Sequence, residues 1–188
     1  MIVLTSIYLN CLMVRKLMII AMLLGSSASF AQKKNADSHP QLPAVSHYKE
    51  IGDPLPPIMV YTLDGRKITN KDMNNDANLF VMLFNPTCSH CEEMTKQLER
   101  NIKLFNKSKI LMVAPHTTKD YVQGFEDGYH TSKYAPIITM GVDSSMHLVD
   151  KTFQYKAIPQ ISIYDKDRKL IKVFSGEISI DSLKPYIQ

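Results

Sequence analysis

Leu79 to Phe84 reads Leu-Phe-Val-Met-Leu-Phe without a charge or hydroxyl. A strand built from such a run has no face to turn to water and must be covered on both sides. After Asn85-Pro86-Thr87 comes Cys88-Ser89-His90-Cys91, then apolar residues at helical spacing (Met94, Leu98, Ile102, Phe105), then a second apolar run from Ile110 to Ala114. Strand, helix, strand is the unit this order predicts, with both strands buried in a parallel pair and two thiols at the head of the helix.

The spacing of the thiols carries chemistry. Positions i and i+3 of a helix share a face within side-chain reach, so two sulfurs placed there close a small ring without rearranging the chain. The reactive species is the thiolate, which unpaired N–H groups and the helix dipole favour in a first helical turn. Cys88 is therefore read as the attacking thiol. Cys91 shares a face with Met94 and Leu98, turns toward the core, and is read as the resolving thiol. His90 can favour a thiolate by charge or hydrogen bonding, whereas Glu92 and Glu93 suit the dipole but repel a neighbouring anion. Two helix starts fit: Thr87 capping a helix from Cys88 to about Asn106, which is preferred, or Ser89 with Glu92 as a capping box.

Arg15-Lys16 precedes the apolar block Leu17 to Leu24, and Ser29-Phe30-Ala31 fits a small-x-small cleavage site. Residues 1–31 are thus expected to be a signal peptide, with Met13 as an alternative start; an uncleaved anchor is the rival, but the block falls well short of the ~20 residues that span a bilayer. Cleavage would remove Cys11, which no lipobox marks for lipidation, and leave only the two motif cysteines, so no structural disulfide framework is available. It would also lower the net charge from +4 to +2, which gives no basis for binding nucleic acid.

Residues 32–49 are polar and aperiodic and read as a flexible lead-in to a single domain over 50–188. Asp64-Gly65 between Ile58–Thr62 and Lys67–Thr69 predicts a hairpin with a two-residue turn. Thr117 or Thr118 is expected to cap a helix through about Glu126, Ile137 to Val142 to form a short strand, and Asp143 or Ser144 to cap a helix through Phe153. A hairpin across Asp165-Lys166-Asp167-Arg168 and a closing helix from Ser179 to Tyr186, interrupted by Pro185, complete the pattern.

From Ile51 onward the chain resembles the thioredoxin-like superfamily, and within it the exported TlpA/ResA-type thiol-disulfide oxidoreductases. The resemblance rests on Gly52-Asp53-Pro54-Leu55-Pro56, Tyr61-Thr62-Leu63-Asp64-Gly65, Phe84-Asn85-Pro86-Thr87-Cys88-Ser89-His90-Cys91 and Ala157-Ile158-Pro159-Gln160-Ile161-Ser162-Ile163-Tyr164-Asp165. It implies an α/β, thioredoxin-like three-layer sandwich, with a central mixed β-sheet, helices on both faces and an N-terminal β-hairpin extension. It also implies a cis Pro159 lying against the redox pair and an Ile158 whose backbone pairs with substrate. By its own residues the case for a cis Pro159 is weaker, since only ~5–6% of X-Pro bonds in folded proteins are cis, and an ordinary strand-start proline also fits. The resemblance further implies a monomer that exchanges disulfides with protein substrates and a redox partner in the bacterial envelope or periplasm. It needs no cofactor and no metal, and has no membrane span once the signal is removed.

Departures from the pattern leave questions open. Thr87 and Met82 stand where thioredoxin has a tryptophan and a buried aspartate, so a carboxylate proton shuttle is unassigned. Ser89-His90 places a histidine where oxidising members such as DsbA and protein disulfide isomerase have theirs, which points to an oxidase or isomerase, while the whole-domain resemblance points to a reductant. From another class, the rival is a non-catalytic thioredoxin-like binding domain, or one holding a metal on Cys88 and Cys91. No second CxxC supports the latter, and His116, His130 and His147 are scattered. Pro86-Thr87-Cys88 does not match the peroxiredoxin pattern Pro-x3-Thr-x2-Cys.

Overall fold

The computed structural model describes residues 48–146 and 148–188. The expected signal peptide, most of the lead-in and His147 lie outside the described residues.

Seven strands form one mixed sheet in the order β2-β1-β5-β4-β3-β6-β7. They are β1 (Met59–Tyr61), β2 (Lys67–Thr69), β3 (Leu79–Leu83), β4 (Lys109–Ala114), β5 (Ile138–Asp143), β6 (Gln160–Tyr164) and β7 (Leu170–Ser175). β3, β4 and β5 run parallel, and the hairpins β1–β2 and β6–β7 are antiparallel at the two edges. Every residue of β3 is buried, as an all-apolar run requires. Its even-numbered side chains, Phe80 and Met82, face the core layer beneath α1 (Ser89–Arg100), α2 (Lys119–Tyr129) and α3 (Ile180–Leu183). Leu79, Val81 and Leu83 face a second core with Leu55, Ile58, Leu148 and Phe153.

The two faces are covered unequally. Each crossover from β3 to β4 and from β4 to β5 steps one strand in the same direction, so right-handed connections place α1 and α2 on one face. The opposite face is roofed by the segment through Leu55 and by a single π-helical turn, Leu148–Phe153. That turn replaces the expected helix from Asp143 or Ser144. Asp143 is nonetheless the anchor: its carboxylate accepts the Ser145 N–H at 2.9 Å and the Val149 N–H at 3.1 Å.

The β1–β2 turn is one residue longer than expected. Tyr61 pairs with Lys67, and Gly65 donates to Thr62 O at 3.0 Å, so Leu63-Asp64-Gly65 is a three-residue loop. Gly65 occupies its left-handed position at φ 83°, the arrangement of a type I turn closed by a bulge. Gly141 lets this hairpin dock, because a Cβ there would sit 2.5 Å from Tyr61 O. The segment Gly52-Asp53-Pro54-Leu55 lies along the start of β7: Gly52 N–H donates to Leu170 O and Leu170 N–H to Asp53 O, both at 2.8 Å.

Candidate active site

The chain leaves β3 at its carboxyl end and turns through Asn85, whose side-chain oxygen accepts both the N–H and the hydroxyl of Thr87 at 3.0 Å. Asn85 O accepts the Cys88 N–H at 3.0 Å, which completes the turn. The Thr87 hydroxyl is thereby occupied and does not cap the helix, and Ser89 is already helical. Cys88 itself is the N-cap: its backbone is extended (φ −98°, ψ 115°) and its sulfur accepts the Cys91 N–H at 3.4 Å. This corrects both expected helix starts. The α-helix also ends at Arg100, and a 3₁₀ turn, Ile102–Phe105, carries the chain onward.

The two thiols, both free, occupy different surroundings. Cys88 is half-buried at the end of the sheet, whereas Cys91 is 0 % exposed among Met82, Phe84 and Met94 in the helix-side core. Burial pushes the Cys91 thiol well above the usual range. A hydrogen bond to the Cys88 sulfur adds to this, as do nearby negative charges at Cys88 and Glu92, while the Asn85 backbone acts in the opposite direction. The surroundings of Cys91 therefore favour its protonated form.

The Ile158–Pro159 peptide is cis. β3 pairs with β6 as far as Leu83 opposite Gln160, so one more step in register sets Pro159 beside Phe84, at the sheet end from which the cysteine turn departs. Pro159 is buried, and its carbonyl accepts the Gly176 N–H at 2.9 Å. Ile158 is half-buried against the same core as Cys88 and Cys91. Its backbone N–H and C=O have no hydrogen-bond partner among the described residues, so an extended chain could pair there.

His90 is exposed. It lines a groove with Glu93, Gln97, Glu177 and Ser182 between α1 and the segment leading into α3. Gln97 accepts the Ile180 N–H at 2.9 Å and fixes that segment against the thiol-bearing helix.

Two features have no counterpart in the sequence reading: a role for Tyr129, and a second cis bond, Ala135–Pro136. Tyr129 packs on Phe125 with ring centroids 4.5 Å apart, and Phe125 on Phe84 at 4.9 Å. Burial and a hydrogen bond to the Glu92 carboxylate push its hydroxyl up to about 12. Lys96 Nζ of α1 lies over the Tyr129 ring, 5.7 Å from its centroid, which joins the end of α2 to α1. The aromatic spacing of Phe125 and Tyr129, i and i+4 on one helix face, was the available signal. His116 lies half-buried just past β4.

No family model matches the chain. It is 26% identical over 144 residues to the thiol-disulfide oxidoreductase ResA of Bacillus thuringiensis subsp. konkukian, a match covering 74% of this chain and 78% of that one. Among solved structures it is similar to the thioredoxin domain of a thiol-disulfide oxidoreductase from Bacteroides vulgatus, with TM-score 0.60, 15% identity, and coverage of 74% and 99%. It is also similar to a secreted Mycobacterium tuberculosis disulfide oxidoreductase, with TM-score 0.55, 16% identity, and coverage of 69% and 92%.

Proposed function

We propose that this thioredoxin-like thiol-disulfide oxidoreductase reduces disulfides of other proteins outside the bacterial cytoplasm, after cleavage of residues 1–31. The carrying observation is the asymmetry of the thiol pair: a half-buried Cys88 capping a helix, and a fully buried Cys91 whose proton is held. Cys88 thiolate attacks one sulfur of the substrate disulfide, forming a mixed disulfide and expelling the other substrate sulfur as thiolate. Cys91 then loses its proton and attacks the Cys88 sulfur. The second substrate thiolate departs, and a Cys88–Cys91 disulfide remains for a redox partner to reduce. The unpaired backbone of Ile158, held next to cis Pro159, is the proposed seat for the extended substrate.

The reducing direction is supported by the resemblance over the whole domain and by the position of His90. An oxidising couple needs a strongly stabilised reduced state. Among the described residues a single N–H reaches the Cys88 sulfur, at 3.4 Å, and the exposed His90 faces a groove open to solvent, which screens electrostatic effects of its side chain. Location outside the cytoplasm is supported by the leader pattern and by the secreted neighbour. No described helix is long and apolar enough to cross a membrane.

The test is the reduction potential of the pair, obtained by equilibration in glutathione or dithiothreitol buffers with free thiols counted. A reversible two-electron couple well below about −200 mV supports the reductant, and one near about −120 mV assigns an oxidant. Absence of a reversible couple overturns the thiol-exchange reading.

A further inference from the structure

A second cavity lies on the sheet face opposite α1, behind the strand that follows the proline. Its volume is about 290 Å³, near the lower end of the ~300–1,000 Å³ typical of small-molecule sites. Its floor is two cross-strand pairs, Gln160 with Ser175 and Ser162 with Val173. Phe153 and Lys156, from the segment leading to Pro159, form one wall, and Tyr48 and Lys49 another.

The floor is unusual for a strand otherwise committed to the core. Gln160 is 6 % exposed and Ser162 2 %, yet neither carries a fully buried unpartnered side-chain atom, so their polar tips keep access to the cavity. Ser175 donates to Gln160 Oε1 at 3.1 Å, which leaves the Gln160 Nε2 hydrogens unused. The Ser162 hydroxyl has no partner among the described residues. Both side chains line the cavity, so their free donors are reachable from it. Lys156 brings a cation to the rim, Lys49 brings another that also donates to Gln154 Oε1, and among the described residues no carboxylate side chain lines the space. Phe153, Tyr48 and Val173 supply apolar surface.

We infer that this cavity binds a small carboxylate with an apolar body: the carboxylate takes the free donors of Gln160 and Ser162 and the charge of Lys156, and the body lies against Phe153 and Val173. Because Gln160 directly follows Pro159, the occupied site backs the strand proposed to seat substrate.

The test is a titration of the purified chain with benzoate, followed by amide resonances, with benzamide as the neutral isostere. Expected are saturable shifts at Gln160, Ser162 and Ser175, with benzamide weaker by about tenfold or more. Ser162→Ala and, independently, the exposed Lys156→Gln each weaken benzoate severalfold. Equal affinity for benzamide, shifts that spread without saturating, or unchanged binding in a folded Lys156→Gln chain overturns the proposal. So does binding that appears only after residues 32–47 are deleted, which would make the chain's own upstream segment the occupant.

Discussion

The Cys91 backbone N–H donates to the Cys88 sulfur across 3.4 Å, so the thiol proposed to attack is also the residue that caps the helix. Replacing it separates the two roles. Cys88→Ser keeps a capping oxygen and folds with near-native stability, whereas Cys88→Ala loses the cap and about 1 kcal/mol of unfolding free energy. Neither exchanges disulfides. Cys91→Ala retains attack but not resolution, and accumulates the mixed disulfide, which non-reducing electrophoresis or mass spectrometry resolves. Stability by denaturant melts and turnover on a disulfide-linked peptide, measured on the same three variants, check the assignment.

The buried Cys91 thiol makes the reduced protein sensitive to alkali. Folding binds this proton more tightly than the unfolded chain does, because burial and the Cys88 contact disfavour the thiolate. That contribution is complete below the unfolded thiol value of ~8.5 and is lost as pH rises above it, at about 1.4 kcal/mol per pH unit. Urea melts of the reduced protein at about pH 8 and about pH 9.5 should therefore differ by ~1–2 kcal/mol, and Cys91→Ala should remove the difference. Tyr129 and Tyr164, both raised by burial, add a loss of the same sign, but only as pH rises above the unfolded tyrosine value of ~10, so they contribute little below about pH 9.5.

His90 occupies the position by which the sequence suggests an oxidising couple, but its side chain is exposed along the α1 groove. A screened charge at the surface contributes little to the reduced state. His90→Ala should move the reduction potential by less than about 30 mV, which is ~1.4 kcal/mol for a two-electron couple. A larger shift toward reducing values would show that the imidazole reaches the Cys88 sulfur.

Much of this arrangement was legible in local pattern. An all-apolar β3 demanded two covered faces, and Met94 and Leu98 placed one face of α1 in the core, with Phe105 of the following 3₁₀ turn continuing it. What pattern did not reveal depends on competition between partners. Thr87 is a good capping residue on propensity, but Asn85 two residues earlier takes its hydroxyl, and the cap passes to Cys88. The segment after Asp143 has a helical capping signal, yet the Asp143 carboxylate reaches across to Val149 and only one wide turn follows. Gln160 and Ser162 read as ordinary strand residues because the cavity beside them is assembled from distant segments, at Tyr48 and Phe153.

Arg168 is the clearest such case. In Asp165-Lys166-Asp167-Arg168 it reads as a solvated turn residue, but it is 9 % exposed. Its guanidinium Nη1 donates to Ala77 O at 3.0 Å and Asp165 O at 2.7 Å, and Nη2 donates to Asn75 Oδ1 at 2.7 Å and to Met73 O. One side chain thus satisfies the backbone ahead of β3 and locks it to the β6–β7 turn. Arg168→Met would leave those carbonyls buried without donors, at a cost of about 3 kcal/mol or more, and lower the melting temperature by roughly 6–12 °C. Arg168→Lys keeps the charge but not the planar fork and recovers only part of the loss. Since the clamp sits at the amino end of β3 and the thiols follow its carboxyl end, the reduction potential of folded Arg168→Met should match the parent. A changed potential in that variant would mean that the clamp also sets the geometry of the cysteine turn.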